Sequence, residues 1–156
     1  MSQITQPILS QRYYDACMAE LSALKPGNVH IFADGHGMVV QDFIKSADAS
    51  MMPISQPGLC VGERIFSAIS ATWDAVACNT NLGIVLLAAP MIQASYSAAG
   101  FSQKSLQNVL QHLTIEDAVK AYQAIAIARP AGLGEVQEHD VRQIPNITLL
   151  QAMQAA

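Results

Sequence analysis

Three short polar islands hold the residues of this chain that are equipped to handle an anionic substrate. The first runs Leu24-Lys25-Pro26-Gly27-Asn28-Val29-His30 and continues to Asp34-Gly35-His36-Gly37-Met38. The second is Asn79-Thr80-Asn81-Leu82-Gly83, and the third runs from Gly132-Leu133-Gly134 to His139-Asp140. Lys25 beside Gly27 and Asn28 combines a cation with accessible backbone N–H groups, a pairing that suits phosphate. The same residues also make a plain helix stop, with Lys25 complementing the helix dipole. Asp34 and His36 offer a carboxylate and an imidazole for a divalent cation or for proton transfer, and Asp42 on the following helix can join them. Mg²⁺ takes one or two carboxylates plus substrate phosphates, so Asp34 and Asp42 would suffice as metal ligands. Glu63 either complements the start of its helix or reaches into a central cleft. Asn79, Thr80 and Asn81 are small polar residues between two apolar runs, costly to bury unless hydrogen-bonded. A helix starting there presents free N–H donors to an anion. Gly132 and Gly134, with Glu135, His139 and Asp140, form a glycine-bearing loop that lacks the strand a dinucleotide-binding fold requires.

The runs between the islands read as helices. Tyr14, Cys17, Met18, Leu21 and Leu24 recur at spacings of three and four, predicting a helix over Gln11 to Leu24 that Pro26 stops. A second helix is expected from Val39 to Met51, followed by a linker over Met52 to Gly58. A third covers Leu59 to Cys78, with Ile65, Ile69, Trp73 and Val76 on one stripe. The next, Leu82 to Ala98, is apolar nearly all round, so a central position is expected, with Thr80 or Asn81 as its N-cap. Ser102 opens a short helix to His112. Thr114, with Asp117 three residues on, opens one that ends near Arg129-Pro130. Thr148 opens the last, Leu149 to Ala156, which shows no stop signal. No run alternates with period two, so the fold class is all-α: a compact antiparallel helical bundle forming a single domain over residues 1–156. The unstopped last helix predicts an incomplete domain.

Composition narrows the class further. The 156 residues are 51% hydrophobic but only 13% charged, against about 25% charged in typical soluble domains. Much helix surface must therefore be covered, by the fold itself or by another chain, and a homo-oligomer is one outcome. The net charge of −4 argues against a nucleic-acid surface. The apolar run over Leu82 to Ile92, broken by Pro90, is too short to span a membrane. The N-terminus lacks the pattern of a signal peptide, so a cytoplasmic location is expected. Cys17, Cys60 and Cys78 show neither CxxC nor zinc spacing and are expected to be buried free thiols.

Taken in order, the islands resemble the triphosphoribosyl-dephospho-CoA synthase family. The resemblance rests on Lys25-Pro26-Gly27-Asn28-Val29, on Gly35-His36-Gly37-Met38 with Asp42-Phe43-x-x-Ser46, on Asn79-Thr80-Asn81-Leu82-Gly83, and on Gly132-Leu133-Gly134. It implies an all-helical fold in longer proteins, with this chain similar to the N-terminal half. It also implies ATP as substrate: the 2′-hydroxyl of dephospho-CoA attacks the anomeric carbon of the ATP ribose and adenine leaves. Lys25, Gly27 and Asn28 match the family's Lys-Pro-Gly motif, His36 its Gly-x-His motif, and Asn79, Thr80 and Gly83 its Asn-Thr-x-x-Gly motif. On that reading Lys25, Gly27, Asn28, Asn79, Thr80, Asn81, Gly83, Gly132 and Gly134 bind the nucleotide. His36 or Glu63 takes the proton, and Asp34 or Asp42 holds Mg²⁺. Three departures stand out. Asn81 and Leu82 occupy places where the family motif reads His and Lys, Gly37 stands where it has Asp, and Glu135 and Val136 follow Gly134 where an Arg is usual. The chain is expected to be a divergent branch.

Two other classes remain open from the residues alone. A non-catalytic helical fragment acting through protein contacts would fit the low charge. A metal hydrolase using His30, Asp34, His36 and Asp140 would need ligands that are scattered here and a nucleophile motif that is missing.

Overall fold

Pro7 marks the start of the first helix. Proline has no N–H to lose in a helix's first turn, and its fixed φ suits that position. The helix α1 (Gln6–Ser22) therefore begins five residues before the run read from hydrophobic spacing, with Thr5 extended at the N-cap. The computed structural model describes residues 4–23, 38–130 and 141–155. The remaining helices are α2 (Val40–Ile54), α3 (Val61–Val76), α4 (Leu82–Ser95), α5 (Gln103–Gln111), α6 (Ile115–Ala128) and α7 (Leu149–Ala155). No strand occurs among the described residues, in line with the all-α expectation.

Pro53, expected in a linker, lies inside α2, while Pro90 lies inside α4, within the helix expected there. In α2 the proline falls in the last turn, where few ladder bonds remain to be lost. There the Ser55 hydroxyl donates to the Met51 carbonyl at 2.6 Å. The caps of α5 and α6 follow the sequence. Ser102 accepts from the Ser105 N–H, and Thr114 accepts from the Asp117 N–H while the Asp117 carboxylate takes the Thr114 N–H.

Cross-links between helices set their directions. Gln6 donates to the Met52 carbonyl and Tyr13 pairs with Ser50, so α1 and α2 are antiparallel. Arg64 reaches Ile54 in α2 and Gln93 in α4, while Asn81 at the start of α4 reaches Thr72 near the end of α3. Hence α3 runs antiparallel to both α2 and α4. With α6 it is parallel: Gly62 meets Asp117, Lys120 lies over the Phe66 ring at 5.2 Å, and Arg129 lies over the Trp73 ring at 5.6 Å.

The α3–α6 contact is close because its residues are small. Ala68, Ala118, Ala121 and Ala124 are fully buried, and a Cβ added to Gly62 would sit 2.6 Å from the Asp117 backbone. Asp117 ties the two helix starts together, accepting from the Gly62 N–H at 2.7 Å and from Thr114 N–H and hydroxyl at 2.9 and 2.8 Å.

At this same end, Arg64 is 1% exposed. Its Nη1 donates to the Ile54 and Gln56 carbonyls at 3.0 and 2.6 Å, and its Nε to Gln93 Oε1 at 2.9 Å. The guanidinium lies 5.3 Å from the centre of the Tyr96 ring, and the Tyr96 hydroxyl donates to the Ser55 carbonyl. One arginine thus pins the α2–α3 connection to the end of α4.

The central helix is α3, flanked by α2, α4 and α6, and not α4 as its composition suggests. Leu87 is 71% exposed and Met91 45% exposed on the outer side of α4. An all-apolar helix can be buried on any side; here Leu82, Val85, Ala89 and Ile92 are buried, with Ile84, Leu86 and Ala88 partly so, and Leu87 and Met91 are left out. Cysteine burial also departs from expectation. All three thiols are free, yet only Cys17 is buried, whereas Cys60 and Cys78 are half-buried. No helix of the described residues is long and apolar enough to cross a membrane.

Burial alone would raise the Asp117 pKa, but the bonds from Gly62 and Thr114 outweigh it and hold the carboxyl below its usual 3.8. A depressed folded pKa stabilises the fold above the unfolded value, and that contribution is lost as pH falls through the folded value. Asp117→Asn is expected to lower stability at neutral pH by about 1–3 kcal/mol and to flatten the loss below about pH 4. Urea titrations across pH check both. Gly62→Ala should cost about 2 kcal/mol by forcing α3 off α6, read from the same denaturation curves.

Candidate active site

The α3–α4 turn is built from the second island. Ala77 ends α3 in the left-handed region at φ 52°, and the chain then reverses through Cys78 to Asn81. Asn79 Oδ1 accepts from the Leu82 N–H at 3.3 Å, so Asn79 caps α4. Thr80 and Asn81 turn elsewhere. Asn81 occupies the N-cap position without making a side-chain cap bond. The Thr80 hydroxyl donates to Ser46 Oγ at 2.6 Å, and Ser46 in turn donates to the Asp42 carbonyl at 2.6 Å. Asn81 is 8% exposed, and its Nδ2 donates to Thr72 Oγ1 at 2.9 Å and Ser50 Oγ at 3.3 Å.

Proton counting orders this buried cluster. Ser50 has one hydroxyl proton, spent on the Ser46 carbonyl at 2.6 Å. Tyr13, 3.1 Å from Ser50 Oγ, must therefore be the donor in that pair. Burial pushes the Tyr13 phenol well above its ordinary value of 10.0, so it keeps that proton. Burial likewise raises the Cys17 thiol, which bonds to Tyr13, to about 11. Every member except Asn81 Oδ1 is satisfied, and that oxygen has no partner among the described residues.

Asp42 lies beside this turn. Its Oδ2 accepts from the Val39 N–H at 3.1 Å at the start of α2, and its other oxygen takes no bond from a described residue. After burial, the Asp42 charge is the second cause that raises the Cys78 thiol, which places Asp42 near the α3–α4 turn. Asp42, Ser46 and Ser50 stand four residues apart on one face of α2, and that face meets Thr80 and Asn81. Gly83 is exposed, with open space where a Cβ would sit, and no bond among the described residues uses its N–H.

Helix directions bring the described residues that flank the other islands to this end. Ala23 closes α1 and Met38 leads into α2 here, so the chain leaves and re-enters the described residues beside the α3–α4 turn. The parallel α3–α6 pair ends here too, at Arg129 and Pro130, from which the third island departs. Lys25, Gly27, Asn28, Asp34, His36, Gly132 and Gly134 themselves lie outside the described residues.

The matching family model is that of the ATP:dephospho-CoA triphosphoribosyl transferases (CitG), aligned over residues 8–156. The chain belongs to this family. Comparison with curated proteins returned no match, and comparison with solved structures returned none either. Membership in the CitG family makes the protein a transferase of the triphosphoribosyl-dephospho-CoA synthase type, with ATP and dephospho-CoA as the family's small-molecule substrates.

Within this frame, Glu63 stands apart. Its Oε2 accepts from the Cys60 N–H at 2.9 Å, it is exposed, and that bond lowers its pKa. It lies at the opposite end of α3, roughly 20 Å from the island turn at 1.5 Å per residue. Asn81 and Leu82, read from the sequence as departures from the family motif, both turn into the core rather than outward. The described residues contain no cluster of three or more His, Cys, Asp or Glu. Missed from the sequence were Tyr13, Ser50 and Thr72, although the four-residue spacing of Asp42, Ser46 and Ser50 was a readable sign of a polar helix face.

Asn81→Ala removes the donor to Thr72 and Ser50 while deleting one unsatisfied oxygen. A net loss of about 1–2 kcal/mol is expected, a fall in Tm of roughly 2–8 °C, measured by thermal unfolding.

Proposed function

We propose that the protein moves the triphosphoribosyl group of ATP to the 2′-hydroxyl of a dephospho-CoA-type acceptor. The observation that carries this reading is the meeting at one end of the bundle of the Asn79–Gly83 turn, Asp42 and the chain ends that flank the other two islands. In the reaction the C1′–N9 bond of ATP breaks and a C1′–O bond to the acceptor forms. The hydroxyl proton passes to a protein base, and adenine leaves with a proton on its ring. His36 serves as that base in preference to Glu63, whose carboxylate is engaged at the other end of α3.

Lys25, Gly27 and Asn28 contact the triphosphate, joined by the N–H of Gly83 at the start of α4, where the helix dipole favours negative charge. Thr80 and Asn79 shape that turn through their bonds to Ser46 and Leu82. The Asp42 oxygen that takes no bond from a described residue fits Mg²⁺, with Asp34 as a second carboxylate. The ion would supply charge neutralisation on the triphosphate.

Chromatography of reactions holding ATP, Mg²⁺ and dephospho-CoA tests the proposal. Adenine should appear in step with consumption of the acceptor, and chelation of Mg²⁺ should abolish it. Asp42→Asn should slow release at least about tenfold. Absence of both adenine release and calorimetric ATP binding would refute the reading. The exposed Leu87 and Met91 on α4 favour a second one, a non-catalytic module working through protein contacts. A monomer across concentrations in sedimentation would count against that alternative.

A further inference from the structure

The last turns of α3 and α6 enclose an open cleft of about 380 Å³, lined by Ser70, Trp73, Asp74, Ala126, Ile127 and Arg129. That volume falls in the range of small-molecule sites. Trp73, the chain's single tryptophan, is half-buried, leaving part of the ring to solvent. Arg129 is held in the left-handed region at φ 45° and ψ 55°, where its N–H closes α6 on the Ile125 carbonyl. Glycine is the residue that this helix-ending conformation favours. An arginine there costs backbone energy, and its exposed side chain lays the guanidinium over the Trp73 ring, 5.6 Å from the ring centre. No carboxylate among the described residues pairs with it. A guanidinium stacked on an aromatic ring makes a flat cationic surface that suits a flat ring carrying phosphates.

The surroundings narrow the ring. Asp74 and the carbonyl ends of two parallel helices make the cleft rich in acceptors. Acceptors favour a base with an exocyclic amine and disfavour a bare anion, so any phosphate must sit on the Arg129 side. The cleft also shares the last turn of α3 with the island turn: Thr72 faces inward to Asn81, and Trp73, the next residue, faces α6. We propose that the Trp73–Arg129 cleft holds the adenine ring of a nucleotide substrate, with the ring packed against the stacked Trp73–Arg129 pair and its phosphates toward the guanidinium. This rests on the transferase reading above, in which both substrates carry an adenine nucleotide, and it names where one of them is recognised.

Trp73 reports on its own site, because no other tryptophan contributes to the emission. The full chain is titrated separately with ATP, dephospho-CoA, adenosine and tripolyphosphate. Excitation is set at the red edge of tryptophan absorption, where adenine is transparent, and calorimetry is run in parallel. Either ATP or dephospho-CoA should quench or shift the emission, and the one that does identifies the occupant. Adenosine should act only at higher concentration, and tripolyphosphate should not act. Arg129→Gly removes the guanidinium and relieves the left-handed backbone. It should weaken that nucleotide about tenfold or more without lowering Tm. A purely structural Arg129 would give the reverse: unchanged affinity and lower Tm. The inference falls if calorimetry records nucleotide binding while Trp73 emission stays constant, or if Arg129→Gly leaves affinity intact. If calorimetry records no binding of either nucleotide, the transferase reading itself falls, and this one with it.

Discussion

The side-chain amide of Asn81 is the tie on which one end of this molecule depends. Its two N–H groups hold a hydroxyl on α3 and a hydroxyl on α2, and the α2 hydroxyl also takes the Tyr13 proton from α1. Three helices and the α3–α4 turn therefore share one buried group. Polar atoms in such a place must be satisfied or they destabilise the fold. Satisfying them specifies how far each helix extends and how it is rotated. Thr80 and Ser46 extend the tie toward Asp42, so the same bonds that order the packing also present the candidate site.

The two ends of the bundle are built on different chemistry. At one end, Arg64 and Asp117 spend their charges on backbone groups of the α2–α3 connection and the α3 start. Those charges serve to hold the fold, and Glu63 is absorbed into the same capping work. At the other end neutral hydroxyls and amides form the buried cluster, while Asp42, Asp74 and the Arg129 guanidinium stand around it. The parallel course of α3 and α6 is what brings Arg129 to this end, because their ends coincide. An antiparallel α6 would carry it, and the island that follows, to the Arg64 end.

Asn81 and Leu82 have their side chains turned inward, to the hydroxyl cluster and to the core, and so contribute no charge to this end of the bundle. In the described residues Arg129 is the cation whose backbone and stacking already order it at this end.

Local signals determined the helix starts at Ser102, Thr114 and Thr148, because a cap is a contact between residues three apart. Hydrophobic period determined the class, since no run could feed a strand. The islands marked the family, because their residue types stay legible without any packing. Pro53 misled as a break, as the cost of a proline depends on where in the helix it falls and on what packs around it. The position of α4 was not readable, because its composition states what can be buried and not which side meets a neighbour. Nor could the sequence separate Glu63 from the islands, join Tyr13, Ser50 and Thr72 to Asn81, or bring Arg129 onto Trp73. Those pairings span nine to 56 residues of chain, and only the relative directions of packed helices decide them.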